Sequence, residues 1–272
     1  MIEATSAKEK TMESKYVKVQ ADNGIWTVSL NRPDAMNSLD MNILEELIAV
    51  FSVLDKDETC RVVVLTGEGK AFCAGGDFKL PLFNSNSSKL IFEDMEIFGK
   101  LILTMRNLTK PIIAAVNGAA VGAGMNVALA CDIVICSNQA KFGEVFCRLG
   151  VHPDCGGTYF LPRAVGTYQA CELMFTGEIF PAQKAVELGI ANRVVEHKEL
   201  MNEVYKLATK IAQGPPVALS LTKQSIYQGI GNDLASQLRL ESLNQTICML
   251  TKDKEEGLAA FKEKREPRFK GL

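Results

Sequence analysis

Hydrophobic positions change their rhythm along the chain, and the changes predict its elements. Residues 16–20 and 25–30 alternate or run apolar around the turn Ala21-Asp22-Asn23-Gly24, which predicts two paired strands. Asn31-Arg32-Pro33 breaks that pattern. From Leu39 to about Leu54 apolar residues recur at helical spacing, through Met41, Leu44, Leu47, Ile48 and Phe51. Residues 61–66 (RVVVLT) and 111–116 (PIIAAV) are continuous apolar runs of the kind buried on both faces. A short strand is expected over 71–77, ending in a double glycine, and a third buried strand over 133–136.

Between these runs the chain is polar or small. Residues 78–90 carry Pro81 and the run Asn84-Ser85-Asn86-Ser87-Ser88, which reads as a mobile loop, with a helix following to Leu108. Residues 122–130 read as a small-residue helix. Beyond Tyr168 the spacing turns helical, in segments near 182–189, 198–213, 216–229, 232–250 and 254–265. Strands alternate with helices early and helices accumulate late. The expected class is α/β with a helical C-terminal extension. The expected division is a flexible N-terminal tail over 1–15, a catalytic core over 16–200 and a C-terminal helical region over 201–272.

Composition narrows the function. Apolar residues make up 47% of the 272 residues, enough for a large core, and the net charge of −2 gives no basic platform for nucleic acid. No apolar run reaches the length of a membrane span. The N-terminus lacks a signal-peptide pattern, and Glu3, Glu9 and Glu13 are unlike a transit peptide. None of the eight cysteines forms a C-x-x-C pair, so they read as reduced thiols in a cytoplasm. With only His152 and His197 as histidines, no residue cluster has metal-ligand spacing, and no metal or separate cofactor is expected.

Two glycine-rich turns carry the candidate chemistry. Phe72-Cys73-Ala74-Gly75-Gly76-Asp77 and Asn117-Gly118-Ala119-Ala120-Val121-Gly122-Ala123-Gly124-Met125-Asn126 each follow a predicted buried strand. Small residues there let a ligand approach the backbone, and the second turn opens a helix whose first N–H groups lack partners. Facing one another, the turns would form an oxyanion hole. Tight packing alone is the bland account of either turn. Neither matches a nucleotide fingerprint.

The segments SLNRPDAMNSL, AFCAGGDFK, KPIIAAVNGAAVGAGMNVALACDIVI, LGVHPDCGGTYFLPR and GLAAFKEKREPRF resemble the crotonase family, also called the enoyl-CoA hydratase/isomerase superfamily. The resemblance runs nearly from Tyr16 to Gly271. It implies a spiral of ββα units, C-terminal helices that build a trimer or a hexamer, and an acyl-CoA substrate. It also implies that the oxyanion donors are the backbone N–H groups of Gly76 and Ala123. Hydratase-type members use two glutamates to hold and activate a water; the matching positions here are Asn126 and Phe146. Neither can act as a base, and Phe146 would exclude water.

A different carboxylate stands in Gly150-Val151-His152-Pro153-Asp154-Cys155-Gly156-Gly157. That turn is most similar to those of ring-epoxide isomerases of phenylacetate breakdown and of Δ3,Δ2-enoyl-CoA isomerases. The similarity implies that Asp154 is the catalytic acid/base. Double-bond migration is therefore expected, with unorthodox hydration or non-catalytic CoA-thioester binding as alternatives. Asp154 has a bland reading too, as the N-cap of the helix after Gly157. Ala74, Lys79, Asn126, Phe146, Phe261 and Lys264 are the remaining expected substrate contacts. Lys79 and Lys264, with Arg265, would meet CoA phosphates unless they form an ordinary solvated face. Phe261 would pack near the nucleotide. Glu144, the nearest spare acid in sequence, reads as an exposed charge at a strand end, and His152 as a structural turn residue, with assistance to Asp154 as the alternative for either.

Overall fold

The computed structural model describes residues 10–272. The chain builds two sheets by repeating one unit, in which a long strand, a short strand and a helix follow in order. The large sheet holds β1 (Lys10–Glu13), β2 (Val17–Asp22), β3 (Ile25–Leu30), β4 (Val62–Gly67), β6 (Ile112–Val116), β8 (Ile133–Ser137) and β11 (Arg193–Val195), in that spatial order. The small sheet has the order β10 (Ile179–Pro181), β9 (Lys141–Gly143), β7 (Ala119–Val121) and β5 (Ala71–Cys73). The β1–β2, β2–β3 and β9–β10 pairs are antiparallel; all others are parallel. Thus β4 feeds β5, β6 feeds β7 and β8 feeds β9, each crossing from one sheet to the other. The ββα spiral expected from the sequence is the observed fold class.

Helices cover the sheets. They are α1 (Met41–Lys56), α2 (Ser88–Asn107), α3 (Ala123–Leu129), α4 (Gly157–Val165), α5 (Thr167–Thr176), α6 (Ala182–Glu187), α7 (Leu200–Ala212), α8 (Pro216–Gly229), α9 (Leu234–Met249) and α10 (Lys252–Glu263). Helix α1 starts where Asp40 accepts a hydrogen bond from the Ile43 N–H, a standard side-chain cap. Its buried face is Ile43, Leu44, Leu47, Val50, Phe51 and Leu54. Each such side chain gains about 1.5–3 kcal/mol on burial, which outweighs helix propensity in placing α1. On the opposite face of the large sheet, Val62, Val64, Ile113 and Ile135 pack under Leu200, Val204 and Ala208 of α7. Strands β4 and β6 are therefore covered on both sides, as their unbroken apolar runs require.

Two expectations change. Lys10–Glu13 is a strand paired with β2, so the tail is ordered from Lys10; residues 1–9 lie outside the described part. The 78–90 segment is partly structured. Leu80 is buried, a one-turn helix spans Pro81–Asn84, and Ser87 caps α2. The three-residue strands of the small sheet beyond β5 give no periodic signal of their own.

Candidate active site

The two glycine turns lie side by side at the ends of β5 and β7. Gly75 adopts φ 98°, a left-handed conformation that favours glycine, and its carbonyl accepts from the Leu39 N–H at 2.8 Å. Gly124 sits against the other turn. A Cβ there would lie 2.1 Å from the Cys73 carbonyl oxygen, so only glycine lets α3 pack this closely on β5. The N–H groups of Gly76 and Ala123 make no hydrogen bond among the described residues. Both residues line one cavity of about 490 Å3. Ala123 opens α3, where the first N–H groups have no intrahelical acceptor. Two free donors at one cavity are what an oxyanion needs.

The first turn is held from behind by residues that sequence reasoning passed over. The Arg32 guanidinium donates to Asp77 at 2.8 Å and to the Ser38 carbonyl at 2.8 Å, and pairs with Asp40 at 3.0 Å. A backbone bond from Lys79 and then the Arg32 guanidinium hold the Asp77 carboxyl below the usual range. Asn37 is fully buried and donates to the Glu68 and Ala71 carbonyls at 2.9 and 2.7 Å. Asn117 donates to the Gly67 and Gly69 carbonyls at 2.8 and 3.0 Å. Together they clamp the loop that feeds β5. The signal was present in Asn31-Arg32-Pro33-Asp34-Ala35-Met36-Asn37, a polar stretch too rich in donors for a plain turn.

Most of the cavity lining is apolar. Phe78, Leu82, Phe83, Met95 and Phe98 form one wall; Val145, Phe146, Leu149 and Val151 form the other. His152, Pro153 and Asp154 close the end. The bland reading of Asp154 fails, because the N-cap of α4 is Gly156 and no side chain caps that helix. The Asp154 main chain does the local work instead, accepting from Gly157 at 3.0 Å and from the Asn126 amide at 2.8 Å. Its carboxyl oxygen Oδ1 is buried without a partner. Burial pushes the Asp154 carboxyl up to about 6, against the opposing pull of Cys155 and His152.

The structure places Ala74, Gly76, Ala123, Phe146 and Asp154 on the cavity. Asn126 is fully buried behind the wall rather than on it. Lys79 is exposed next to the first turn and does not line the cavity. Phe261 and Lys264, at the end of α10, are exposed and likewise not among its lining residues. Phe261, at 84% exposure, packs against nothing within its own chain that would bury it. The reading of Glu144 as an exposed charge is wrong. It is fully buried, directly after β9 and at the start of the one-turn helix Val145–Leu149.

No group of three metal-ligating side chains occurs among the described residues, and all eight cysteines are free thiols. Burial pushes Cys60 and Cys73 up to about 12, so they stay protonated packing residues. No described helix is long and apolar enough to cross a membrane.

The family described as Enoyl-CoA hydratase/isomerase matches residues 20–272. The chain is 38% identical to a short-chain-enoyl-CoA hydratase of Clostridium acetobutylicum over 258 residues, covering 94% of this chain and 97% of the relative. It is 36% identical to a 1,2-epoxyphenylacetyl-CoA isomerase of Escherichia coli over 259 residues, covering 94% and 99%. Among solved structures, an enoyl-CoA hydratase from Bacillus anthracis superimposes with a TM-score of 0.91 at 37% identity, covering 94% of this chain and all of that one. This chain belongs to the enoyl-CoA hydratase/isomerase family, and it is an enzyme of that family.

Proposed function

We propose that this enzyme moves the double bond of an enoyl-CoA thioester, with Asp154 as its single acid/base. The observation that carries the reading is the placement of Asp154. It shares one cavity with the free N–H groups of Gly76 and Ala123, while Phe146 and the buried Asn126 stand where the family resemblance implies the two water-activating glutamates of hydratase-type members.

The chemistry needs one base and one anion site. With the thioester oxygen between Gly76 and Ala123, Asp154 takes a proton from C2. Electron density moves onto the carbonyl oxygen, where the two N–H groups stabilise the enolate; one such donor is worth about 3 kcal/mol. The proton on Asp154 then goes to C4, and the 3,4 double bond becomes a 2,3 double bond. Nothing is oxidised, and the carboxylate is regenerated. The apolar walls raise the Asp154 carboxyl towards neutrality, which suits a group that must both take and return a proton. A ring-derived CoA thioester would be reorganised by the same enolate.

Hydration of a 2-enoyl-CoA is the second reading, favoured by the hydratase names of relatives such as that of Clostridium acetobutylicum. It requires a water ordered between an acid and a base, and Phe146 occupies one wall where that water would be activated. Turnover of matched 3-enoyl-CoA and 2-enoyl-CoA substrates separates the two. Isomerisation of the first with poor hydration of the second supports the proposal; efficient hydration with no isomerisation defeats it.

A further inference from the structure

Beside the proposed base lie two buried polar side chains, of Asn126 and Glu144, that this reaction leaves unused. Asn126 on α3, Glu144 just after β9 and Asp154 before α4 approach one another there. Both Glu144 carboxyl oxygens are buried without a hydrogen-bond partner, and so are Asn126 Oδ1 and Asp154 Oδ1. Buried acceptors are rarely left unmatched in folded proteins, and here they gather on three neighbouring side chains. An ionised Glu144 would make matters worse, adding a second buried charge beside Asp154.

One proton pairs two of these four atoms. The Asn126 amide is oriented by the Asp154 main-chain carbonyl, which can only accept, so Nδ2 faces that carbonyl and Oδ1 remains an acceptor. A carboxylic acid has an O–H to give. A carboxylate has none. We propose that Glu144 is a positioning residue, a buried neutral acid whose O–H donates to Asn126 Oδ1 and so fixes the amide that holds the Asp154 turn. The role rests on Asp154 being the acid/base, and it leaves Asp154 as the one carboxyl of the pair that works at the cavity.

Burial favours the neutral form of Glu144. Burial foremost, with the Asp154 charge adding to it, pushes the Glu144 carboxyl up to about 8, while Asn126 pulls the other way. The titratable groups that face it are Asp154 and Cys155, both from the turn before α4. Cys73 acts on Cys155, and His152 acts on Asp154. The Cys73 and Cys155 thiols are raised by burial and stay neutral.

The test compares wild type with Glu144→Gln, whose amide keeps the shape and supplies an N–H in place of the O–H. Turnover of a 3-enoyl-CoA near pH 7 should stay within about threefold, since one neutral donor replaces another. The wild-type rate should decline as pH rises through about 8, and the variant should lack that decline. A readout without substrate keeps this separate from the role of Asp154. Because the folded state holds the Glu144 proton above the ordinary carboxylate value of 4.5, wild-type stability falls as pH rises from there to about 8. The thermal midpoint of Glu144→Gln relative to wild type should therefore climb between those pH values. Wild-type protein labelled with 13C at glutamate carboxyls should also show one carboxyl titrating near pH 8 that is missing from the variant. A folded but inactive Glu144→Gln, a flat midpoint difference, or a Glu144 carboxyl that titrates in the ordinary range would each overturn the proposal.

Discussion

The Asn126 side-chain amide donates to the Asp154 main-chain carbonyl at 2.8 Å, joining the helix that opens at Ala123 to the turn that carries the proposed base. The position where hydratase-type relatives would be expected to hold an acid is here given to holding Asp154 in place. Asn126→Ala should lower kcat for double-bond migration by about tenfold or more, because misplacing a base costs rate even when it is present. KM should change little, since Asn126 does not line the cavity. Stability should fall by about 1–3 kcal/mol, the usual cost of removing one partner of a buried polar contact. Steady-state kinetics with a chemical-denaturation curve checks both.

The proposed oxyanion donors can be tested through the main chain. Gly76→Pro removes the N–H at that position, and its kcat should fall by about 10²–10³ if circular dichroism shows an intact fold. Gly124→Ala acts differently. Its Cβ would meet the Cys73 carbonyl at 2.1 Å and push the two turns apart, so both activity and thermal midpoint should drop. A folded Gly76→Pro enzyme with undiminished turnover would remove Gly76 from the mechanism.

As the proposed base, Asp154 should set the acid side of the pH profile. It must be ionised to take the C2 proton, and burial has raised it to about 6. Turnover should therefore rise with pH and reach half its plateau near pH 6. The same shift acts on stability in a defined direction. The folded state binds this proton more tightly than the unfolded chain, whose value is near 3.8, so the fold loses stability as pH climbs between the two. Asp154→Asn should lose that pH dependence, as paired melting curves at pH 4 and pH 6.5 would show.

Helix α9 has no buried residue, although Leu234, Leu238, Leu243 and Ile247 are all exposed on it. A single chain leaves too much apolar surface open there. We expect association into a trimer or a dimer of trimers, read by light scattering as a mass at least threefold the 29.7 kDa of one chain. A stable monomer at micromolar concentration would contradict this.

Much of this layout was legible because it is forced by short-range physics. The runs RVVVLT and PIIAAV could only be doubly covered strands, and the glycine turns after them are required by close approaches such as that of Gly124 to Cys73. Strands of three residues, such as Lys141–Gly143, are too short to set a period, and with β9 unseen Glu144 looked like a surface charge. Lys10–Glu13 carries no apolar pattern, since backbone pairing to β2 is what makes it a strand. The placement of Phe261 and Lys264 was illegible for another reason. A helical pattern fixes an element but not the surface its exposed end will meet.

The central claim is that Asp154 carries the proton. Asp154→Asn keeps the shape of the turn and leaves the Asn126 and Gly157 bonds to its main chain in place. The folded variant should bind a CoA thioester as wild type does, yet isomerise a 3-enoyl-CoA about 10²–10⁴ times more slowly. Isomerisation at the wild-type rate by that folded, ligand-binding variant would contradict the account.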